Sequence, residues 1–471
     1  MSYERLKQRF AQFGQEQVFG YWEELTESER ASLAGQATEV DLDELQRLLD
    51  ETGRPTAEAD LEPAPCVALP GDRYHDRTWV EARERGEELL RDGKVAAFTV
   101  AGGQGTRLGF DGPKGTFPVT PVRNKPLFQV FAEKIRAASN VYGVAVPWLI
   151  MTSHANHDET VKFFEDAGFL GLSREDVHFF RQGRMPAVDF DGKILLESKS
   201  RLAMSPDGHG GSLRAMVRSG ALEKIRDRGV EMISYFQVDN PLVRVLDPWF
   251  VGFHAGQGSE MSSKMVRKAH AGEKVGVFCL RNGRHVVVEY SDLPDSLAGA
   301  RDDRGNLRFA AGSIAIHLIN TAFIERVAGG AVHEKGKLPF HSAKKKVPYV
   351  DGSGEVVSPS EANAIKFEMF VFDALPEARH PLVLETQREA EFSPVKNASG
   401  PDSVETCIRD QLKQFARWFR SAGVELPVDG NGIPLCRVEV SPLFSTDRES
   451  FRDAWSRLPE KPAIRDGLYV E

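Results

Sequence analysis

Residues 95–115 read VAAFTVAGGQGTRLGFDGPKG. The segment opens with an apolar, β-branched run, 95–100, and then breaks into Gly102, Gly103 and Gly105. It closes on Arg107, Gly109, Pro113 and Lys114. A buried strand that empties into a glycine-rich turn brings bare backbone N–H groups close to an anion. Two cations fixed just beyond the turn mark that anion as a phosphate chain. Three phosphate loops compete for the reading. A P-loop needs G-x-x-x-x-G-K-[ST], and Lys114 instead stands between Pro113 and Gly115. A dinucleotide loop needs G-x-G-x-x-G, whereas Gly103, Gly105 and Gly109 are one spacer too far apart. The next strand candidate also ends in Met151-Thr152-Ser153, without the expected acid. The nucleotidyltransferase loop, G-G-x-G-T-R-L-G followed by P-K, is filled at every position from Gly102, through Thr106 and Arg107, to Lys114.

Outward from the loop the pattern alternates. Apolar runs at 146–152, 232–238, 275–280, 285–290 and 313–319 predict strands, and 127–138, 158–167 and 211–226 carry apolar residues at helical spacing. Such alternation predicts an α/β fold: a Rossmann-like catalytic domain over 94–384 with a mostly parallel sheet. Ligands bind such sheets at the carboxyl ends of strands, which is where the glycine loop falls. Residues 1–93 predict a helical region (3–13, 41–49 and 78–90) interrupted by a Pro-rich connector at 61–70. Residues 385–471 predict a small C-terminal domain with a helix at 404–422.

The chain has 471 residues and a net charge of −9, which argues against a nucleic-acid coat or an anionic-membrane binder. Cys66, Cys279, Cys407 and Cys436 are dispersed without metal-ligand spacing, as expected of reduced thiols in the cytoplasm. MSYERLKQRF has no apolar signal core, and no apolar run approaches the ~18 residues of a membrane span. The expectation is a cytoplasmic protein, monomer or homodimer, with no membrane and no nucleic-acid partner.

Beyond the loop come Lys125-Pro126-Leu127-Phe128-Gln129, Arg181-Gln182-Gly183, Pro206-Asp207-Gly208-His209-Gly210-Gly211 and Val238-Asp239-Asn240. Val287-Val288-Glu289-Tyr290-Ser291, the run KFEMFVFD at 366–373 and the run EFSPVKN at 391–397 follow. In this order the blocks resemble the eukaryotic-type UDP-sugar pyrophosphorylases, most closely the UDP-N-acetylhexosamine branch. The resemblance implies a uridylyltransferase that makes UDP-sugar and pyrophosphate from UTP and a sugar 1-phosphate, with Mg²⁺ as cofactor. The sugar-phosphate nucleophile is already anionic, so such an enzyme needs alignment and charge shielding rather than a general base.

The same resemblance implies roles. Arg107, Lys114 and Lys396 are the catalytic cations. Gly102, Gly103, Gly105, Thr106, Gln182, Pro186, Gly208 and His209 bind the nucleotide. Gln182 reads uracil with a carboxamide that both donates and accepts, and Met185 with Pro186 floors that pocket. Gly276, Glu289, Ser313, Lys366 and Phe370 surround the sugar. Asp239, at the end of an apolar strand, holds the metal, while Asp247 suits a helix cap. Two positions bear on which sugar is used. The acetylhexosamine branch reads G-N-G-G where this chain has His209, and it carries Asn where this chain has Ser313. Overall likeness favours N-acetylglucosamine 1-phosphate, while these two residues also suit glucose 1-phosphate. A nucleotide-sugar-binding regulator without turnover and a dinucleotide-dependent oxidoreductase are the rival readings. Lys344-Lys345-Lys346 is expected to be a solvated loop, and Asp302-Asp303 a turn.

Overall fold

The computed structural model of the chain describes residues 2–52, 60–71, 76–328 and 338–471. The strand Val95–Val100 has the bounds the sequence predicts and is buried from Val95 to Thr99. It runs parallel between Trp148–Thr152 and Met232–Gln237, with Val177–Arg181 parallel beyond Trp148–Thr152. WLIMT and MISYFQ have the near-continuous apolar content of strands covered on both faces. The helix Leu127–Tyr142 links the first two strands and buries Leu127, Phe128, Phe131 and Ile135.

On the other side of Met232–Gln237 the pairing turns antiparallel. Ala311–Asn320 pairs with it, and Met261–Arg267 and Val277–Arg281 both pair with Ala311–Asn320. Arg284–Val288 folds back on Val277–Arg281 through Asn282-Gly283, both at positive φ, as a tight hairpin requires. Leu61–Pro63, inside the expected connector, instead adds an edge strand on Val277–Arg281. An edge is where a sheet tolerates proline. Among the described residues the sheet has ten strands, completed by Leu382–Glu385 parallel to Met261–Arg267.

The described chain forms two compact units interleaved along the sequence. One takes the described parts of Met1–Ala59, Gln182–Arg214 and Lys337–Asp373, and the other the described remainder. In the first, helices Tyr3–Gln12, Glu27–Glu39 and Leu42–Glu51 bury Leu6, Phe10, Leu33 and Leu45 in one core with Met185, Val188, Ile365 and Phe367. Its strand Phe340–Lys345 pairs with Ala364–Met369, so Lys344 and Lys345 lie in a strand rather than the expected loop. In the second unit, a separate core of Phe415, Trp418, Phe419, Phe451 and Trp455 lies beneath the helices Val404–Ser421 and Arg448–Arg457. The expected helix over 211–226 is two helices, Gly211–Arg218 and Ala221–Arg226, because Gly220 adopts φ 74° between them. Among the described residues no helix is long and apolar enough to cross a membrane.

Candidate active site

The sheet register brings the glycine loop and Asp239 to one edge. Val100 pairs with Gln237, and Val238 N donates to Val100 O at 3.1 Å, so both chains leave the sheet side by side. The loop then folds back on itself: Gly105 N donates to Gly112 O at 2.9 Å and Lys114 N to Gly103 O at 3.1 Å. Gly103 is exposed, and a Cβ there would meet no atom within 4 Å. Gly102 is half-buried, while Thr106 and Arg107 are exposed in the short turn Thr106–Leu108.

Lys114 is the electrostatic centre. Burial pushes its pKa below the ordinary lysine value, Asp239 pulls it back up, and Arg107 and Lys396 push it down further. Arg107, Asp239 and Lys396 therefore each lie within charge range of Lys114. Asp239 is buried at 9% exposure, and its backbone carbonyl accepts from Val395 N at 2.8 Å, which sets Lys396 beside it. Lys396 is half-buried, with its ammonium 4.0 Å from Asp402. Asp247 caps the helix Pro248–Gly256 by accepting from Trp249 N, as its sequence suggests.

A residue that the sequence did not single out shapes the loop. Asn156 is fully buried, and its Nδ2 donates to Ala101 O at 2.9 Å and Gly103 O at 3.2 Å. Its Oδ1 accepts from Ser153 N at 2.8 Å. The one available signal was an Asn just ahead of a helix, which reads as an ordinary cap. Here the side chain caps nothing in the helix His157–Asp166 and holds the loop instead.

The same unit gathers Gly276, Glu289 and Ser313. Ser313 N donates to Gly276 O at 2.8 Å, and a Cβ on Gly276 would lie 3.3 Å from Glu289 Oε1. In the other unit, Gln182 is buried and its Nε2 donates to Gly208 O at 2.7 Å. Gly208 adopts φ +82°, and a Cβ there would fall 2.3 Å from Met369 O, so only glycine fits. His209 accepts from Val371 N through Nδ1 at 3.2 Å and packs against Phe370 and Phe372, with ring centroids at 5.4 and 5.7 Å. Burial pushes its pKa down to about 4, so it is neutral. Pro186 is buried in the strand Arg184–Pro186. Lys366 lies half-buried in Ala364–Met369, its pKa lowered by burial, with Glu368 pulling it back up.

The predicted residues thus form three local groups, two in one unit and one in the other. The UTP–glucose-1-phosphate uridylyltransferase family matches residues 45–405 of the chain. The chain belongs to that family. A family member from Xenopus tropicalis, UDP-N-acetylhexosamine pyrophosphorylase-like protein 1, is 38% identical over 94% of this chain and 92% of its own. The UDP-N-acetylglucosamine pyrophosphorylase of Saccharomyces cerevisiae is 34% identical over 99% of both chains. The crystal structure of the Trypanosoma brucei uridine diphosphate N-acetylglucosamine pyrophosphorylase, in complex with inhibitor, superposes with a TM-score of 0.84 at 28% identity. It covers 100% of this chain and 98% of its own. The fold and the enzyme class that the sequence implied, a nucleotidyltransferase of this family, are those of its relatives.

Proposed function

We propose that this enzyme transfers the uridylyl group of UTP to N-acetylglucosamine 1-phosphate, giving UDP-N-acetylglucosamine and pyrophosphate. The observation that carries the reading is that the sheet register and the backbone bond from Val395 to Asp239 bring the glycine loop, Asp239 and the Lys396 segment to one edge, with Arg107, Asp239 and Lys396 each in charge range of Lys114. The names of the relatives support the acetamido sugar.

In this reading a phosphate oxygen of the sugar phosphate attacks the α-phosphorus of UTP. The new P–O bond forms as the bond from the α-phosphorus to the bridging oxygen breaks, and pyrophosphate leaves with that electron pair. Arg107 and Lys114 screen the crowded phosphates as charge moves onto the leaving group, and Lys396 does so from the segment beside Asp239. Losing one such donor typically costs about 3–4 kcal/mol of transition-state stabilisation. Gly102, Gly103 and Thr106 present backbone N–H groups to the nucleotide, while Gly105, whose N–H is spent on Gly112 O, holds the loop closed beneath it. Gln182 gives one amide hydrogen to Gly208 O and turns the rest of its carboxamide to uracil, beside Pro186. Glu289 accepts from sugar hydroxyls, with Gly276 and Ser313 beside it.

Among the described residues no three His, Cys, Asp or Glu side chains form a metal cage. One buried carboxylate at a phosphate site suits Mg²⁺, which is commonly held by one or two carboxylates plus substrate phosphates. We assign Asp239 to that ion, which when bound adds positive charge to the phosphates. The cytoplasm is the proposed location, on the strength of four free cysteines.

Glucose 1-phosphate is a second reading, favoured by His209 and Ser313 where the acetylhexosamine branch carries asparagines. The test is pyrophosphate release from UTP with a panel of sugar 1-phosphates. N-acetylglucosamine 1-phosphate should give the highest kcat/KM. A higher value with glucose 1-phosphate would overturn the sugar assignment, and no release with any sugar would overturn the activity.

A further inference from the structure

The segment that carries Lys396 is tied to the strand end at Asp239 by more than the backbone bond already described. Asn240, 4% exposed, uses both ends of its carboxamide on that segment. Its Nδ2 donates to Glu391 O at 2.7 Å, and its Oδ1 accepts from Ser393 N at 3.2 Å. With Val395 N on Asp239 O, residues 391–395 lie zippered along residues 239–240. The far end is clamped by charge. Lys264, 1% exposed, donates to both oxygens of Glu391 at 2.7 and 2.6 Å and to Asp247 Oδ2 at 2.6 Å. Thr386 Oγ1 donates to Glu391 Oε1 at 2.6 Å. Buried carboxamides and charges are retained only when fully partnered, and such networks fix one arrangement of the groups they join.

We propose that Asn240 is a positioning residue: its carboxamide, with the Lys264–Glu391 clamp behind it, fixes the distance between Lys396 and Asp239. Neither Asn240 nor Lys264 touches substrate in this account. The inference rests on the reading of Lys396 and Asp239 as site residues. Asp239 lies on the chain beside Asn240 and Lys396 one residue beyond Val395, so any slip of this zipper changes the separation of the two reacting-site groups.

The experiment is a double-mutant cycle on pyrophosphate release, using Asn240→Asp, Lys396→Ala and the double variant of the full chain. Asn240→Asp keeps the shape and the Ser393 acceptor, removes the donor to Glu391 O and adds a buried negative charge, so Asn240→Leu, which removes the donor without the charge, is carried through the same cycle and should show the same dependence on Lys396. Asn240→Asp should lower kcat on the order of 10- to 100-fold, the effect of displacing a reacting-site group by about 1 Å, with KM for UTP changed less than about threefold. In the Lys396→Ala background the same substitution should cost less than about twofold, because contacting positions couple. The proposal is overturned if Asn240→Asp keeps wild-type kcat, or if its full loss persists without Lys396. In either case Lys396→Ala alone still reports on the parent reading. If Lys396→Ala is fully active, that reading falls and this proposal with it. Should Asn240→Asp fail to fold, Thr386→Val loosens the clamp at its rim and is expected to show the same dependence on Lys396; a loss independent of Lys396 refutes it.

Discussion

Gly115→Ala adds one methyl group next to Lys114, and its cost can be worked from the structure. Gly115 sits in the short turn Lys114–Thr116. A Cβ there would lie 2.1, 2.2 and 2.5 Å from Cε2, Cζ and Cδ2 of Phe128. Carbon atoms pack at about 3.5–4.0 Å, so more than ~1 Å must open. Phe128 has no exposed surface, and its ring lies 5.0 Å from Phe164 and 6.2 Å from Trp148 in a closed aromatic cluster. The ring has no open space around it, so the turn is expected to yield and carry Lys114 away from Asp239. Overpacking of this kind costs about 1–3 kcal/mol of stability, and a shift of about 1 Å in a charge-shielding group costs up to ~100-fold in turnover. Urea unfolding and pyrophosphate release measure the two effects. Phe128→Leu in the same chain should restore part of both. Wild-type kcat in Gly115→Ala would refute the reasoning; lost stability with intact kcat would show that the ring, not the turn, moved.

Three further predictions follow from buried charge. Because burial lowers the Lys114 pKa, the alkaline fall in kcat/KM should begin below the ordinary lysine range; a wild-type profile flat past pH ~10.5 would refute this. His209 is neutral with a pKa near 4, so the ratio of kcat/KM for the two sugar phosphates should not change between pH ~6 and ~8, and a step near the unperturbed histidine pKa of ~6.5 would refute it. Lys134 donates to Pro241 O and Val243 O and has its pKa pushed by burial from 10.5 to about 7. Between those values the unfolded chain binds more protons, so Lys134 contributes a stability gain with rising pH of up to ~1.4 kcal/mol per unit; unfolding of Lys134→Met at pH ~7–9 should lack that slope, and parallel slopes would refute the assignment.

Residues 95–115 carried the centre of the fold in plain sight, because strand burial and loop chemistry are both local. The two-sided burial of VAAFTV and WLIMT likewise announced parallel neighbours. What the sequence did not disclose depends on distant partners. The strand Ala364–Met369 contains Lys366 and Glu368, reads as a charged block, and becomes a strand through pairing with Phe340–Lys345. The helix Glu27–Glu39 has little contrast between its faces, burying only Leu33 and Ala37. Asn156 belongs to no motif, and Asn240 stood in one only as the residue after Asp239; the role of each was hidden because its carboxamide acts on backbone atoms of another segment. The cations were legible by motif, but the packing that lowers the Lys114 pKa was not.

The interleaving of the two units has a consequence for the newborn chain. The helices within residues 3–51 leave the ribosome first, yet the core they close needs Met185, Val188, Ile365 and Phe367. Leu48 and Ile365 are separated by more than 300 residues of synthesis. At about 5–20 residues per second, Leu6, Phe10 and Leu45 therefore wait roughly 15–60 s for their partners. During that interval an apolar face is open to wrong association, so yield in rapid expression should depend on temperature and on chaperone supply more than the stability of the finished enzyme would indicate.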